Sequence, residues 1–334
     1  MASLRGSEPW LVTGASGFLG RTLCAALVAR GVPVRALVRR AAAAPPGSEP
    51  HIVRGLDDAE GLAAALRDAG TVVHLAARVH QMDDLAADPL AEFRAVNVDG
   101  LRRVLRQALA ARVARFVFVS STKAVGEATE QPWTETEPPR PSDAYGVSKL
   151  EAEQVVRELA ERGGLHAPIL RLPLAYGAGA KGNILRLFEA VDRGAPLPFA
   201  LVRNRRSLLF AGNFVAAVDA VLASPSAGSE TFFVSDGHDL STPELIRSIG
   251  LALGRRPRLL PVPPAAFRAA ARLGDAMSRR FRVPFDSAVE RRLLGSLAVD
   301  ISKLRRLTSY APPFTPAAGL SVMAAWYLGQ VRAP

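Results

Sequence analysis

Short apolar runs alternate along the chain with longer segments in which apolar residues recur every three or four positions. The short runs predict buried strands at 9–14, 32–40, 71–77, 115–121 and 167–173. The longer segments 20–31 and 99–113 predict amphipathic helices, the first ended by Gly31 as a C-cap. This alternation predicts an α/β fold, a doubly wound parallel sheet with helices on both faces.

Composition indicates an ordinary globular protein with a sizeable core. Of the 334 residues, 49% are hydrophobic and 22% are charged, and no apolar run approaches the ~18 residues of a membrane-spanning helix. The N-terminal segment lacks the apolar stretch of a signal peptide. The single cysteine, Cys24, excludes an intrachain disulfide and a cysteine metal cluster. We expect a cytoplasmic location, no membrane insertion and no metal.

The charge of the chain constrains its partners. The net charge is +11, but the basic residues are scattered, which disfavours nucleic acid and favours an anionic substrate. Only four of the 42 basic residues are lysines, Lys123, Lys149, Lys181 and Lys303. A lysine kept in an arginine-rich chain indicates a need for a compact ammonium with a tunable pKa, and this reasoning singles out Lys149.

The turn after the first predicted strand, "TGASGFLG", has the spacing of a dinucleotide-binding turn. Gly14 permits a tight turn, Gly17 lets the backbone approach a pyrophosphate, and Gly20 allows close packing of helix on strand. The N-terminus of the following helix attracts phosphate. The alternative is a purely structural glycine turn. We expect cofactor contacts from the three glycines and from Ser16, Phe18 and Leu19.

The end of the second predicted strand bears on the choice of cofactor. NAD-binding proteins usually place an acidic residue there, whereas this chain has Val38 followed by Arg39 and Arg40. An arginine can neutralise the 2′-phosphate of NADP(H), so NADP(H) is favoured over NAD(H). The alternative is that both arginines are solvated loop residues.

Several further motifs follow in order: "HLAA" (74–77), "NVDG" (97–100), "FVFVSSTKAVGE" (116–127), "YGVSK" (145–149) and "RLPLAYG" (171–177). With the glycine turn, they resemble the extended short-chain dehydrogenase/reductases, and among these the NAD-dependent epimerase/dehydratase family. Within that family the chain is similar to a UDP-glucose 4-epimerase-like subgroup and to the 4-keto reductases of bacterial O-antigen sugar synthesis. The resemblance covers nearly the whole chain.

The resemblance implies a catalytic role for "YGVSK". Tyr145 and Lys149 are one helical turn apart, and a lysine ammonium there would lower the tyrosine pKa from about 10. Tyr145 is the implied proton-transfer residue, and Lys149 also binds the nicotinamide ribose. Ser121 is the implied catalytic serine, with Ser120 as the alternative. Asn97 either supports the site or caps a helix.

Relatives that dehydrate sugars carry a carboxylate after the serine, where this chain has Thr122 and Lys123, so 4,6-dehydration is not expected. Lys123 either contacts a substrate hydroxyl or phosphate or is solvated.

The family pattern further implies a Rossmann-type dinucleotide-binding domain over 1–176 and a smaller, mainly substrate-binding domain over 177–334, from which some segments return to the first. The expected substrate contacts beside Lys123 are Asn183, Arg206 and Arg292, with Arg291 as the alternative to the last; the remaining expected cofactor contacts are Asp57, Leu75, Ala76 and Ala77. His80 and Met82 are weaker candidates for the sugar pocket. Relatives often form homodimers through two helices that include the one starting at Tyr145.

The segment 264–281 is apolar and basic at helical spacing. It fits a helix on a membrane surface or an ordinary packed helix, and we expect the packed helix.

The expected function is hydride transfer to or from C4 of a hexose linked to a nucleotide diphosphate. Net 4-keto reduction of a UDP-linked hexose in surface-polysaccharide synthesis is favoured. The alternatives are a UDP-sugar 4-epimerase with tightly bound NAD and an NADP-binding regulator without catalysis.

Overall fold

The computed structural model of the protein describes residues 8–79, 88–278 and 287–331. The strands are β1 (Trp10–Thr13), β2 (Val34–Val38), β3 (Glu49–Ile52), β4 (Thr71–His74), β5 (Arg115–Ser121), β6 (Ile169–Leu172), β7 (Leu174–Tyr176), β8 (Pro196–Leu197), β9 (Leu208–Phe210), β10 (Thr231–Phe233) and β11 (Arg258–Leu259).

The helices are α1 (Phe18–Ala29), α2 (Ala59–Leu66), α3 (Pro89–Arg94), α4 (Leu101–Ala110), α5 (Ala144–Gly163), α6 (Asn183–Asp192), α7 (Ala211–Ala223), α8 (Thr242–Leu253), α9 (Pro264–Ser278), α10 (Ser287–Leu294), α11 (Ser302–Thr308) and α12 (Pro316–Gln330). A π-helical turn over Ala95–Gly100 joins α3 to α4. Gly31 follows α1 in the left-handed conformation, at φ +73°, as its predicted C-cap role requires.

Seven parallel strands form the main sheet, in the order β10-β6-β5-β4-β1-β2-β3. This confirms the predicted Rossmann-type fold. The strand order reverses between β1 and β4, and ligands of such sheets bind beyond the carboxyl ends of the strands at that point. All five predicted strands are present. β3 was not predicted because its four residues are mostly exposed, and β10 was not predicted because it has only three residues.

Two hydrophobic cores cover the two faces of the main sheet. One is formed with α2, α4 and α5, and the other includes α1, α7 and α11. Half of the buried residues of the second core lie beyond residue 208, because α7 packs on α1 and β10 pairs with β6. Late segments of the chain therefore complete the sheet that the early segments begin.

A third core lies among α6, α8 and α12, around Phe188, Ile246 and Met323. Phe18, the first residue of α1, packs against this core. A Cβ placed on Gly177 would lie 3.5 Å from the Phe18 ring. The glycine turn and the third core thus meet at one side chain.

Helix α9 packs along one face only. Ala271 is buried and Phe267 stacks on Phe199 with ring centroids 6.0 Å apart, but Leu273 and Met277 are 63% and 45% exposed. Helix α9 is thus packed along this face, as expected, and its remaining faces are exposed. None of the helices in the described ranges is long and apolar enough to cross a bilayer.

Candidate active site

The glycine turn lies at the carboxyl end of β1, where the backbone is crowded. A Cβ on Gly14, which has φ +67°, would lie 2.8 Å from the backbone of Ala76, and a Cβ on Gly20 would collide with the Gly14 carbonyl. Helix α1 then begins after Gly17 without a side-chain cap and without an acidic residue in its first turn. Its first backbone N–H groups can therefore donate hydrogen bonds to a ligand, and a dinucleotide pyrophosphate is a suitable acceptor.

Thr13 fixes the loop that faces this turn. Its Oγ1 accepts hydrogen bonds from the backbone N–H groups of Leu75 (3.2 Å) and Ala76 (3.1 Å), and it lies 3.0 Å from Nδ1 of His74. Burial, with a smaller contribution from Lys149, lowers the pKa of His74 to about 3. The neutral imidazole of His74 and the hydroxyl of Thr13 therefore fix the loop 75–77, which contains three of the predicted cofactor contacts.

The end of β2 presents cations and no acid. Val38 is buried, whereas Arg39 and Arg40 are exposed and form no ion pair with the described part of the chain. Asp57 is exposed in the loop between β3 and α2. Ser16 is exposed in the glycine turn, and Leu19 is half-buried. The exposed side chains of Arg39, Arg40, Asp57 and Ser16 are accessible to a ligand. Their roles as cofactor contacts, and that of Leu19, stay predictions.

Helix α5 begins at Ala144 because Asp143 caps it, accepting a hydrogen bond from the Gly146 N–H at 2.6 Å. The last three residues of β5 then each face a different residue of α5, and we call this set the β5–α5 ladder. The Val119 carbonyl accepts from Lys149 Nζ at 2.7 Å, and Ser120 Oγ donates to Glu153 Oε1 at 2.7 Å. The Ser121 hydroxyl lies close enough to Tyr145 to affect its pKa. The structure thus brings Ser121, and not Ser120, to Tyr145.

The electrostatics of Tyr145 and Lys149 differ from the expectation. Burial raises the pKa of Tyr145 to about 12, although the hydrogen bond with Ser121 opposes the rise. Burial lowers the pKa of Lys149 to about 7. The prediction that Lys149 lowers the tyrosine pKa is therefore wrong, because burial outweighs the opposing contribution. The lysine is only about half charged near neutrality, and its Nζ is directed to Val119 and lies 4.2 Å from the centroid of the Phe118 ring.

Asn97 lies in the π-helical turn and is buried. Its side-chain oxygen accepts from the Arg78 N–H at 2.8 Å, and its amide donates to the Arg78 carbonyl at 3.0 Å and to Ser148 Oγ at 2.9 Å. Asn97 therefore joins the loop after β4 to α5 and does not cap a helix.

Lys123 is bound by two carboxylates. Its Nζ lies 2.7 Å from Glu127 Oε1 and 2.5 Å from Asp143 Oδ2. Burial alone would lower the pKa of Lys123, but these hydrogen bonds raise it. The alternative of a solvated lysine is wrong, and a substrate would compete with two carboxylates for this ammonium.

The predicted substrate contacts lie away from α5 along the chain. Asn183 is the first residue of α6 and is exposed. Arg206 is half-buried, which lowers its pKa, and its backbone exchanges hydrogen bonds with Leu240 at 2.9 and 3.0 Å. Arg292 belongs to α10, but its side chain lies outside the described part, as do His80 and Met82. The binding roles of Asn183, Arg206 and Arg292 stay predictions.

Sequence reasoning missed Glu153, which follows Lys149 by one turn of α5. Its carboxylate is fully buried and binds Arg171 through two hydrogen bonds, Nε to Oε1 at 3.0 Å and Nη2 to Oε2 at 2.8 Å. Arg157 Nη2 lies 2.8 Å from the same Oε2. Burial opposes ionisation, but Arg171 holds the pKa of Glu153 below its usual value. The available signal was a glutamate on the same helix face as the two catalytic candidates.

Comparisons with known proteins are consistent with this geometry. The sequence model of the NAD-dependent epimerase/dehydratase family matches residues 10–234. A UDP-glucose 4-epimerase of Vibrio cholerae is 34% identical over 322 residues, which cover 95% of each chain. A ketoreductase of Stigmatella aurantiaca that acts on a farnesyl-bearing dihydroquinoline oxide is 31% identical, over 93% of this chain and 94% of its own.

Among solved structures, MoeE5 in complex with UDP-glucuronic acid and NAD is similar in fold. The TM-score is 0.76 at 25% identity, and the match covers 96% of this chain and 99% of that chain. The matching fold, the family match over 10–234 and the relative that is 34% identical over nearly the full length lead to one assignment. The chain is an enzyme of the extended short-chain dehydrogenase/reductase type and belongs to the NAD-dependent epimerase/dehydratase family.

Proposed function

We propose that the protein reduces the 4-keto group of a UDP-linked hexose with NADPH, in bacterial surface-polysaccharide synthesis in the cytoplasm. The cations after β2 carry this proposal. Arg39 and Arg40 are exposed there with no acid beside them in the sequence, which favours NADPH, and a cofactor that is consumed favours net reduction over a redox-neutral reaction. Tyr145, which lies beside Ser121 and one turn before Lys149, is the proposed proton donor.

A bound nicotinamide cofactor supplies the hydride for such a reduction. In the proposed mechanism, the Ser121 hydroxyl orients the substrate oxygen and Tyr145 donates the proton to it. The Lys149 ammonium then favours the phenolate that remains. Dehydration is not supported, because the carboxylates of Glu127 and Asp143 are bound to Lys123.

The positive charge supports a nucleotide-diphosphate substrate. We infer that Asn183, Arg206 and Arg292 contact its diphosphate, since guanidinium groups bind such oxygens through charge-assisted hydrogen bonds. The Vibrio relative is named for UDP-glucose, and MoeE5 was solved with UDP-glucuronic acid. We also infer that residues 1–176 bind mainly the cofactor and residues 177–334 mainly the sugar nucleotide.

A second candidate is redox-neutral 4-epimerisation of a UDP-sugar with tightly held NAD. The identity of 34% with a UDP-glucose 4-epimerase favours it. Here Tyr145 would accept the proton of the C4 hydroxyl, which requires its pKa to fall when ligands bind. A regulator without catalysis is not supported by the presence of Ser121, Tyr145 and Lys149 together, since a sensor needs no proton donor.

The test begins with the cofactor that copurifies and continues with turnover on UDP-linked 4-keto hexoses. We expect the bound cofactor to exchange readily with cofactor in solution, and one NADPH to be consumed for each ketone reduced. Tyr145→Phe should cut turnover by ~100-fold or more and leave cofactor binding nearly intact, because only the proton donor is lost. Tyr327→Phe, which removes a tyrosine hydroxyl bound to Asp192 instead, is the control and should keep full activity.

Tightly bound NAD, together with interconversion of UDP-hexoses without added cofactor, would establish the epimerase instead. Binding of NADPH with no turnover on either substrate class would favour the regulator. A homodimer through α5 also stays a proposal, which light scattering can test.

A further inference from the structure

The exposed surface of α9 is divided into an apolar side and a basic side. At 100° per residue, six exposed apolar residues fall within one sector of about 120°. We call them the α9 stripe: Ala266, Ala269, Ala270, Leu273, Ala276 and Met277. The face formed by Ala271 and Gly274 is buried, so the stripe lies beside the packed face and in contact with solvent. An apolar side of this kind on an exposed helix indicates an interaction surface.

Cations flank the α9 stripe. Arg268 and Arg272 are exposed at 100° and 140° from Phe267 around the helix axis, and Arg272 lies 40° from Ala276 at the edge of the stripe. Neither arginine forms an ion pair with any residue of the ranges described. The acid on this helix, Asp275, is bound to Ser287 through 3.1 and 2.5 Å hydrogen bonds.

The segment before α9 extends this surface. The Leu260 N–H donates to Leu197 O at 2.8 Å, and Phe199, two residues on, stacks on Phe267 of α9. Leu260 is 45% exposed, and the nearby Arg258 is exposed and unpaired among the described residues. The segment that leads into α9 thus also carries an exposed leucine and an arginine without a partner among the described residues.

We propose that this surface, the α9 stripe with Leu260, Arg258, Arg268 and Arg272, adsorbs the protein to an anionic lipid bilayer, lying in the headgroup plane without spanning it. The net charge of +11 and the unpaired arginines complement anionic headgroups, and Leu273 and Met277 are placed to enter the boundary of the acyl chains. A second copy fits less well, because it would bring further arginines to the edge of the stripe, while the acid of α9, Asp275, is already bound to Ser287.

The test is cosedimentation of the full chain with vesicles of phosphatidylcholine containing phosphatidylglycerol, and with vesicles of phosphatidylcholine alone. We expect binding to the anionic vesicles that weakens with added salt. Leu273→Gln/Met277→Gln should reduce the partition coefficient by roughly tenfold or more. The matched control Ile52→Gln/Val322→Gln changes two side chains that are 58% and 45% exposed on β3 and α12, and it should bind like the unmodified protein.

Arg268→Gln/Arg272→Gln should weaken binding to a similar degree and flatten its salt dependence. Arg103→Gln/Arg106→Gln, which removes the same charge from exposed positions of α4, should have a smaller effect. Absence of binding to anionic vesicles, or equal loss in the stripe variant and its control, would overturn the proposal. So would a dimer that becomes monomeric in Leu273→Gln/Met277→Gln, since the stripe would then be covered by a second copy.

Discussion

Arg39 and Arg40 occupy the end of β2 with no partner among the described residues, and Val38 before them is buried. If one of them binds the 2′-phosphate, Arg39→Ala/Arg40→Ala should weaken NADPH binding by ~1–3 kcal/mol and leave NADH binding nearly unchanged. Fluorescence titration with both cofactors measures this difference. Arg103→Ala/Arg106→Ala is the matched control for net charge. An NADH preference in the unmodified protein would refute the assignment.

The depressed pKa of Lys149 makes the stability of the fold depend on pH. Below pH 7 both the folded and the unfolded chain carry the proton, and the folded chain bears the cost of burying the charge. Between a pKa of about 7 when folded and 10.5 when unfolded, the unfolded chain binds more protons, so stability rises with pH.

Lys149→Met removes this dependence. The compared quantity is the free energy of unfolding of the unmodified protein minus that of the variant. This difference should rise by a few kcal/mol in total from pH 7 towards pH 10.5. Most of the rise falls at pH values where urea titrations can be performed. Urea unfolding at several pH values measures the difference. The exposed Lys181 provides the control, because Lys181→Met should show no such slope. A constant difference for Lys149→Met would mean that the buried amine has an ordinary pKa.

Single residues also show where sequence reasoning ends. The helix period was sufficient to predict that Tyr145 and Lys149 lie one turn apart, as they do on α5. Their catalytic roles and that of Ser121 came from the family resemblance and stay predictions. The direction of the Tyr145 pKa could not be predicted, because it depends on burial, which the local sequence does not specify. The ion pair between Lys123 and Asp143 could not be predicted either, since these residues are separated by 20 positions and come into contact only in the folded chain.

At the scale of elements, the Glu153–Arg171 pair joins α5 to β6. Both side chains are almost completely buried, so removing one charge leaves the other without compensation. Glu153→Gln should therefore lower the free energy of unfolding by ~3–5 kcal/mol. Glu153→Leu/Arg171→Met, which removes both charges, should cost clearly less than the single change.

Denaturant unfolding of the two variants measures this contrast. If the double variant is as unstable as Glu153→Gln, packing around these side chains, and not their charge, holds α5 on the sheet. The β5–α5 ladder gives the pair its importance, because Ser120 binds Glu153 while Ser121, the next residue, lies beside Tyr145.

At the scale of the whole molecule, the sheet is assembled from distant parts of the chain. The sequence predicted the doubly wound sheet, because its central strands are apolar runs that alternate with helical segments. It did not predict β10, whose three residues join the sheet through contacts with β6 that no local pattern records. The division of the chain at residue 176 therefore stays a prediction that an experiment must test.

A fragment ending at residue 176 would lack β10, α7 and α11, and with them half of the buried residues of one core. We expect such a fragment to aggregate or to show no cooperative thermal transition by circular dichroism, whereas the full chain should unfold cooperatively. A sharp transition in the fragment would show that the first 176 residues are an independent folding unit.

The late arrival of β10 also has a consequence during synthesis. A ribosome adds roughly 5–20 residues per second, so the edge of β6, complete at Leu172, waits roughly 3–12 s for Thr231, the first residue of its neighbour. Throughout that interval the nascent chain carries an open strand edge and an uncovered face of α1, and both can pair with other nascent chains. The sheet that is begun first on the ribosome is thus among the last parts of the fold to close.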